Sequence, residues 1–119
     1  MRFRTLFDTF PVGIVQADQH GNFIAINPFF AGCLNMAETD VYKENFFQLC
    51  HPEDYFIERK QLDRLLRKET GKVNFEIRLI NNDGKTSVCK IVANAVWENN
   101  DTFSFFTFVV GKLADLSLP

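Results

Sequence analysis

The sequence predicts an α+β domain in which a five-stranded antiparallel sheet packs against several short helices and one longer helix, with an amphipathic helix at the N-terminus. Three observations carry that reading. Apolar and polar residues alternate over residues 73–79, the repeat of a half-buried strand. Asp83-Gly84 joins that run to a second apolar run over residues 86–97, as a tight hairpin turn does. Before them, residues 52–69 open on Pro52 and contain no glycine and no second proline, which suits one long helix. At 119 residues the chain has room for one core, not two.

In chain order, Phe3, Leu6, Phe7 and Phe10 share one face of a helix, with Arg2, Arg4 and Asp8 elsewhere on its circumference, and Pro11 stops it. Residues 13–18, GIVQAD, and 23–27, FIAIN, are short apolar runs on either side of a turn at Gln19, His20, Gly21 and Asn22. Asn27 before Pro28 is a helix start, asparagine serving as N-cap and proline fitting the first turn, for the brief helix PFFAGCL. Residues 35–51 read as single turns and loops, in which Thr39 and Asp40 could cap one turn and Asn45 another.

The long helix then carries Glu53 and Asp54 at its start and Arg67 and Lys68 at its end, an order of charges that complements the helix dipole, and Gly71 is expected to end it. On its wheel Leu62, Leu65 and Leu66 lie near Tyr55, while Glu58, Arg59, Asp63 and Arg67 are assigned to the solvated side. A last strand over residues 102–110, TFSFFTFVV, follows the turn ENND.

That strand is apolar on both sides, with Phe103, Phe105 and Val109 alternating with Phe106, Phe108 and Val110. A sheet with one wet face does not carry such a pattern. One face packs on the helical middle and the other needs a cover. The stripe of Phe3, Leu6, Phe7 and Phe10, in the same chain or a partner's, is the expected cover, with Phe106 and Phe108 assigned to that interface and a homodimer as the expected assembly. Fourteen phenylalanines point to a bulky, dry interior. Phe46, Phe47, Phe56, Phe75, Ile77 and Ile91 are candidate walls of an apolar pocket that either holds a small ligand or is filled by its own rings, and the abundance of phenylalanine favours filling.

Composition narrows the function. Hydrophobic residues at 46% and charged residues at 24% describe an ordinary soluble globular domain. Thirteen Lys and Arg against fifteen Asp and Glu give a net charge of -2, which argues against nucleic acid as a partner. Cys33, Cys50 and Cys89 are widely spaced and odd in number, so they form neither a disulfide framework nor a metal knuckle. They are read as small buried residues in a reducing, cytoplasmic setting, and no metal site is expected. The N-terminus lacks the continuous apolar stretch of a signal peptide, and no run approaches the roughly 20 apolar residues of a membrane helix. Direct membrane insertion by this segment is not expected, while anchoring of a longer parent protein stays open.

Along the chain stand FPVGIV at residues 10–15, Asp18 with Gly21, NPFF at 27–30, HPED at 51–54 and NDGK at 82–85. In this order and at these spacings they resemble the PAS family of sensory domains, from about residue 6 to residue 110. The resemblance implies a five-stranded sheet cupping several helices, used as an input or dimerisation module ahead of a histidine kinase, a diguanylate cyclase or another output domain. With the N-terminal helix read from its apolar stripe, the expected division is a cap helix at residues 1–12, a sensory domain at 13–110, and a linker at 111–119 towards the C-terminal output domain that the resemblance implies in the same chain. The motif residues also have plain structural reasons. Gly21 and Gly84 permit positive φ in turns, and Glu53 and Asp54 open a helix instead of forming a catalytic pair.

Two departures from the family pattern matter. The last strand runs VVGKL at residues 109–113, where the family often ends in an Asp-Ile-Thr-like sequence that couples to a signalling helix. The cysteine-centred run of the photosensory flavin members is missing, and the only histidines are His20 in a turn and His51 at a helix start. No cofactor is therefore expected, flavin and haem both being disfavoured, and an unidentified small ligand stays open. The expected function is a non-catalytic sensory and dimerisation module that biases flanking helices between two arrangements. Two other readings remain: a ligand-free scaffold, and a small cone-type α+β enzyme, which would need an acid on an inward strand position. Glu76 is the one acid in the strand at 73–79, and it alternates with the apolar face.

Overall fold

The C-terminal strand lies in the middle of the sheet. In the computed structural model, which describes residues 12–115, β1 (Gly13–Ala17), β2 (Phe23–Ile26), β3 (Val73–Ile80), β4 (Thr86–Trp97) and β5 (Phe103–Asp115) are antiparallel in the order β2-β1-β5-β4-β3. The helices fall between β2 and β3: α1 (Pro28–Cys33), α2 (Glu38–Val41) and α3 (Tyr55–Leu66), the last entered through a single 3-10 turn at Pro52–Asp54. Phe3, Leu6, Phe7 and Phe10 lie outside the described residues, and the cap helix assigned to them is not described. β5 keeps pairing with β4 as far as Asp115, so residues 111–115 continue the ladder where a linker was expected.

Asn27 joins the first strand to the first helix. Fully buried, it accepts at Oδ1 from the backbone N–H of Ile14 (2.9 Å) and of Phe30 (3.1 Å), and its Nδ2 donates to the carbonyl of Val12 at 2.8 Å. One side chain thus caps α1 and satisfies backbone groups at β1. Asn45 has a similar task without a helix. Its Oδ1 accepts from the N–H groups of Phe47 and Gln48, and its Nδ2 reaches the carbonyl of His20 at 2.8 Å, so the segment after it is a turn pinned to the β1–β2 loop. Gly21 sits beneath that turn with φ of 88°, and its carbonyl accepts from Phe46 N–H at 2.8 Å.

The helical middle covers the inner face of the sheet, and phenylalanine rings fill the space between. Phe46 stacks on Phe108 at 4.3 Å between centroids with planes 22° apart, and Phe106, Phe103 and Trp97 continue the cluster along β5 and β4. Phe30 and Phe23 extend it towards β2. Phe106 and Phe108 therefore belong to the core, at 1% and 0% exposure, and not to an outer interface. Strict alternation tells the two faces of β5 apart but not which one meets the helices. Alternation also fails at Phe103: Val96 pairs with Phe105 but Trp97 pairs with Phe103, so Ser104 is an extra residue and Phe103 turns inward to lie 4.8 Å from Phe106. The outer face carries Phe105, Val92 and Val96, half-buried, and Val109, exposed.

The chain itself covers the end of the outer edge of β3. His51 N–H donates to the Arg78 carbonyl and Ile80 N–H to the Leu49 carbonyl, each at 2.8 Å, which covers the C-terminal end of that edge and aims the chain into α3. At the other end, α3 stops earlier than Gly71. Lys68 takes the left-handed conformation at φ of 60°, with its N–H donating to Leu65 and the Glu69 N–H to Arg64. The Lys68 ammonium lies 4.4 Å from the centre of the Trp97 ring, a cation–π contact that favours this ending.

A Cβ at Gly21 would stand 2.5 Å from Asn45 Oδ1 and 2.8 Å from Phe47 Cδ2. Gly21→Ala is therefore expected to destabilise the fold by about 2–4 kcal/mol through steric overlap and positive-φ strain, read from urea unfolding. Gly84 also has positive φ but nothing within 4 Å of its Cβ position, so Gly84→Ala is expected to cost only about 1 kcal/mol.

Candidate functional site

α3 is held to the sheet at its start by charge and further along by apolar contact. Arg78 of β3 donates from its backbone N–H to Asp54 Oδ2 at 2.7 Å, from Nε to the same oxygen at 3.0 Å, and from Nη2 to Oδ1 at 2.9 Å. The Arg78 hydrogen bonds hold the Asp54 carboxyl below its ordinary range despite its burial. The Glu53 contact to Arg78 at 3.2 Å is exposed on the Glu53 side and adds little. His51 Nδ1 accepts from Glu53 N–H at 3.1 Å and so caps the turn that leads into α3. Further along, Leu62 and Leu65 are buried while Tyr55 and Leu66 are exposed, so the buried stripe is rotated from the one the wheel placed around Tyr55.

A cleft of about 480 Å³ runs along this helix. Phe56, Leu62 and Leu66 of α3 form one wall, Phe47 and the inner-face Phe106 the other, and Gln19, Arg59, Lys60 and Asp63 bring polar groups to it. Of the six residues named from the sequence as pocket walls, Phe47 and Phe56 line it. Phe46, Phe75, Ile77 and Ile91 instead pack into the filled core. Phe56 is 75% exposed, a large ring left at the rim. Leu62, Leu66 and Phe106 were missed as cleft residues. The apolar stripe of the helix signals the first two, but nothing local says that Phe106 reaches the same space. Glu76, the acid that an enzyme of the cone type would turn inward, is exposed on β3. Among the described residues, no cluster of His, Cys, Asp and Glu could hold a metal ion, and no helix is long and apolar enough to cross a membrane.

The sequence matches the family described as the PAS fold over residues 1–110. The chain belongs to the PAS family. Among solved structures, this PAS domain is similar to one from Colwellia psychrerythraea, with a TM-score of 0.82 at 17% identity over 93% of each chain. It is also similar to a domain of a sensory box sensor histidine kinase/response regulator from Geobacter sulfurreducens (TM-score 0.70, 16% identity, 90% of this chain and 89% of that one). A third is the PAS domain of a LuxR-family transcriptional regulator from Burkholderia thailandensis, solved in complex with ethanol (TM-score 0.74, 16% identity, 95% and 98%). At these identities the likeness establishes the fold. Among curated proteins no sequence matches the chain.

In this PAS domain one acid departs from its expected place. Glu58 was assigned to the solvated side of α3, yet it is 1% exposed and its Oε2 has no hydrogen-bond partner. Asp54, Glu58, Leu62 and Leu65 follow one another at helical spacing, so the stripe that enters the core carries an acid in each of its first two places. Burial pushes the Glu58 carboxyl up to about 7, with contact from the Cys50 thiol and the nearby charge of Arg59 drawing it down and Asp54 adding to the rise. The Cys50 thiol is pushed up too, by burial and by Glu58 itself, which disfavours its thiolate at neutral pH.

A carboxyl whose folded value is raised contributes stability below its ordinary value of 4.5 and loses it as pH rises through about 7. Urea unfolding is expected to show a loss of roughly 2–4 kcal/mol between about pH 5 and pH 8.5. Glu58→Gln should flatten that decline and exceed the wild type in stability at the alkaline end. A wild-type profile that is flat, or that rises with pH over this range, contradicts the burial of Glu58. Asp54 acts in the opposite sense: its contribution is present above its ordinary value of 3.8 and is lost as pH falls through its depressed folded value.

Proposed function

We propose that this PAS domain is a non-catalytic sensory and regulatory module of a signal-transduction protein, with a histidine kinase or a diguanylate cyclase as the class of output domain in the same chain. It takes a small ligand in the cleft beneath α3 and self-associates through its N-terminal residues. The observation that carries this reading is the cleft's position. One wall is α3, and the other includes Phe106 of β5, so a bound molecule sets the distance between the helix and the central strand of the sheet. β5 continues to Asp115, and a change at Phe106 is passed along the strand toward whatever follows it. A ligand shifts such an equilibrium only by its differential affinity for the two arrangements. The similar domains from a sensor kinase and a transcriptional regulator support the sensory role, and the regulator's ethanol complex supports a small ligand.

The core favours one other reading, the ligand-free scaffold, because Phe46, Phe75, Ile77 and Ile91 are themselves packed into the buried cluster. A thermal-shift screen of small organic molecules against wild type and Leu66→Trp separates the two. The sensory reading predicts rises in Tm that disappear in Leu66→Trp, whose indole occupies the cleft. A screen in which no molecule raises Tm, or in which every rise survives in Leu66→Trp, favours the scaffold. For self-association, Phe7→Asp is expected to move the sedimenting species towards monomer with the far-UV spectrum unchanged. Unaltered sedimentation removes the dimerisation half of the proposal.

A further inference from the structure

Next to that cleft lies another recess, of about 400 Å³, bounded by Phe47, Gln48, Tyr55, Glu58 and Arg59. It shares Phe47 and Arg59 with the first cleft but has neither Leu62 nor Phe106 in its walls. Its distinguishing feature is Glu58. A buried carboxyl oxygen without a partner destabilises the fold, more so if it is charged, and a molecule that supplies the partner recovers that loss. Among the described residues none donates to this oxygen, whereas Asp54, one turn earlier, is engaged by Arg78.

The groups around the carboxyl decide what kind of partner fits. The Cys50 thiol lies beside it, Asp54 is within electrostatic range, and Arg59 both lines the recess and lies over the Phe47 ring at 5.5 Å. An ammonium drawn to Glu58 and Asp54 is opposed by Arg59, and a carboxylate drawn to Arg59 is opposed by Glu58 and Asp54, so either charge meets groups of both signs. A hydroxyl meets neither penalty, because it donates to an ionised carboxyl and accepts from a protonated one. The walls beside Glu58 are the aromatic side chains of Phe47 and Tyr55, which suit a flat apolar body. We infer that this recess binds an uncharged, hydroxyl-bearing small molecule, with its hydroxyl on Glu58 Oε2 and its apolar body against Phe47 and Tyr55.

Nuclear magnetic resonance titration with 2-phenylethanol, and with 2-phenylethylamine and 3-phenylpropionate as charged controls on the same ring, tests this. The alcohol is expected to give saturable shifts at the amides of Phe47, Gln48, Tyr55 and Arg59 and to move the Glu58 carboxyl carbon. Its affinity should change less than about threefold between about pH 6 and pH 8, because the hydroxyl serves both charge states. Both charged probes, and the alcohol with Glu58→Leu, should bind at least about tenfold more weakly. Should Glu58→Leu fail to fold, the wild-type carboxyl carbon decides alone: a resonance that stays still as the alcohol is added overturns the inference. Equal affinity for the three probes, unchanged affinity in Glu58→Leu, or no saturable shift at all overturns it as well. Shifts confined to Leu62, Leu66 and Phe106 overturn it too, while leaving the proposed sensory cleft standing.

Discussion

A single curved sheet has two faces to cover, and in this domain the inner one is covered by rings. Phe46 arrives from a turn pinned to the β1–β2 loop by Asn45, and it stacks on Phe108 in the middle of the central strand. From there the contacts run without a break through Phe106 and Phe103 to Trp97, and through Phe30 to Phe23. Each of these rings meets another, and the clefts of this domain lie along α3, at its surface.

The attachment of α3 follows from the same constraint. With the ring cluster occupying the centre, the helix meets the sheet along a narrow stripe of Asp54, Glu58, Leu62 and Leu65. Two of those four are acids. Asp54 is satisfied by Arg78, which ties the start of the helix to an edge strand that the segment around Cys50 also pairs with. Glu58 is not satisfied, and its burial sets the helix against its own stability at neutral pH. A helix fixed at one end, apolar in the middle and burdened by an unpaired acid between the two is the element a ligand can move most cheaply.

What the sequence made legible was local chemistry. Asn27-Pro28 starts a helix and Asp83-Gly84 turns a hairpin, because each is a short-range satisfaction of backbone groups that its own residues decide. What it concealed was direction. Which face of β5 looks inward depends on where the helices settle, and the extra residue at Ser104 reverses Phe103 without any glycine to announce it. Lys68 closes α3 in a conformation usually left to glycine because Trp97, far away in sequence, holds its ammonium. Glu58 looked solvated on the wheel because a wheel assigns acids to water, and only the position of Cys50 and the tilt of the stripe put it inside. The candidate site suffered most: Phe47 and Phe56 were legible as large rings in the helical middle, whereas the partnership of Phe106 with Leu62 and Leu66 is a tertiary fact.

The central claim is that the ring-packed sheet is rigid while α3 is the loosely held element, and native-state hydrogen exchange of the backbone amides measures that directly. The account predicts that the amides of Leu62, Leu65 and Leu66 exchange through an opening of lower free energy than those of Phe106 and Phe108, with β5 still protected while α3 opens. Exchange of α3 only by the global unfolding that also exposes β5 would contradict it.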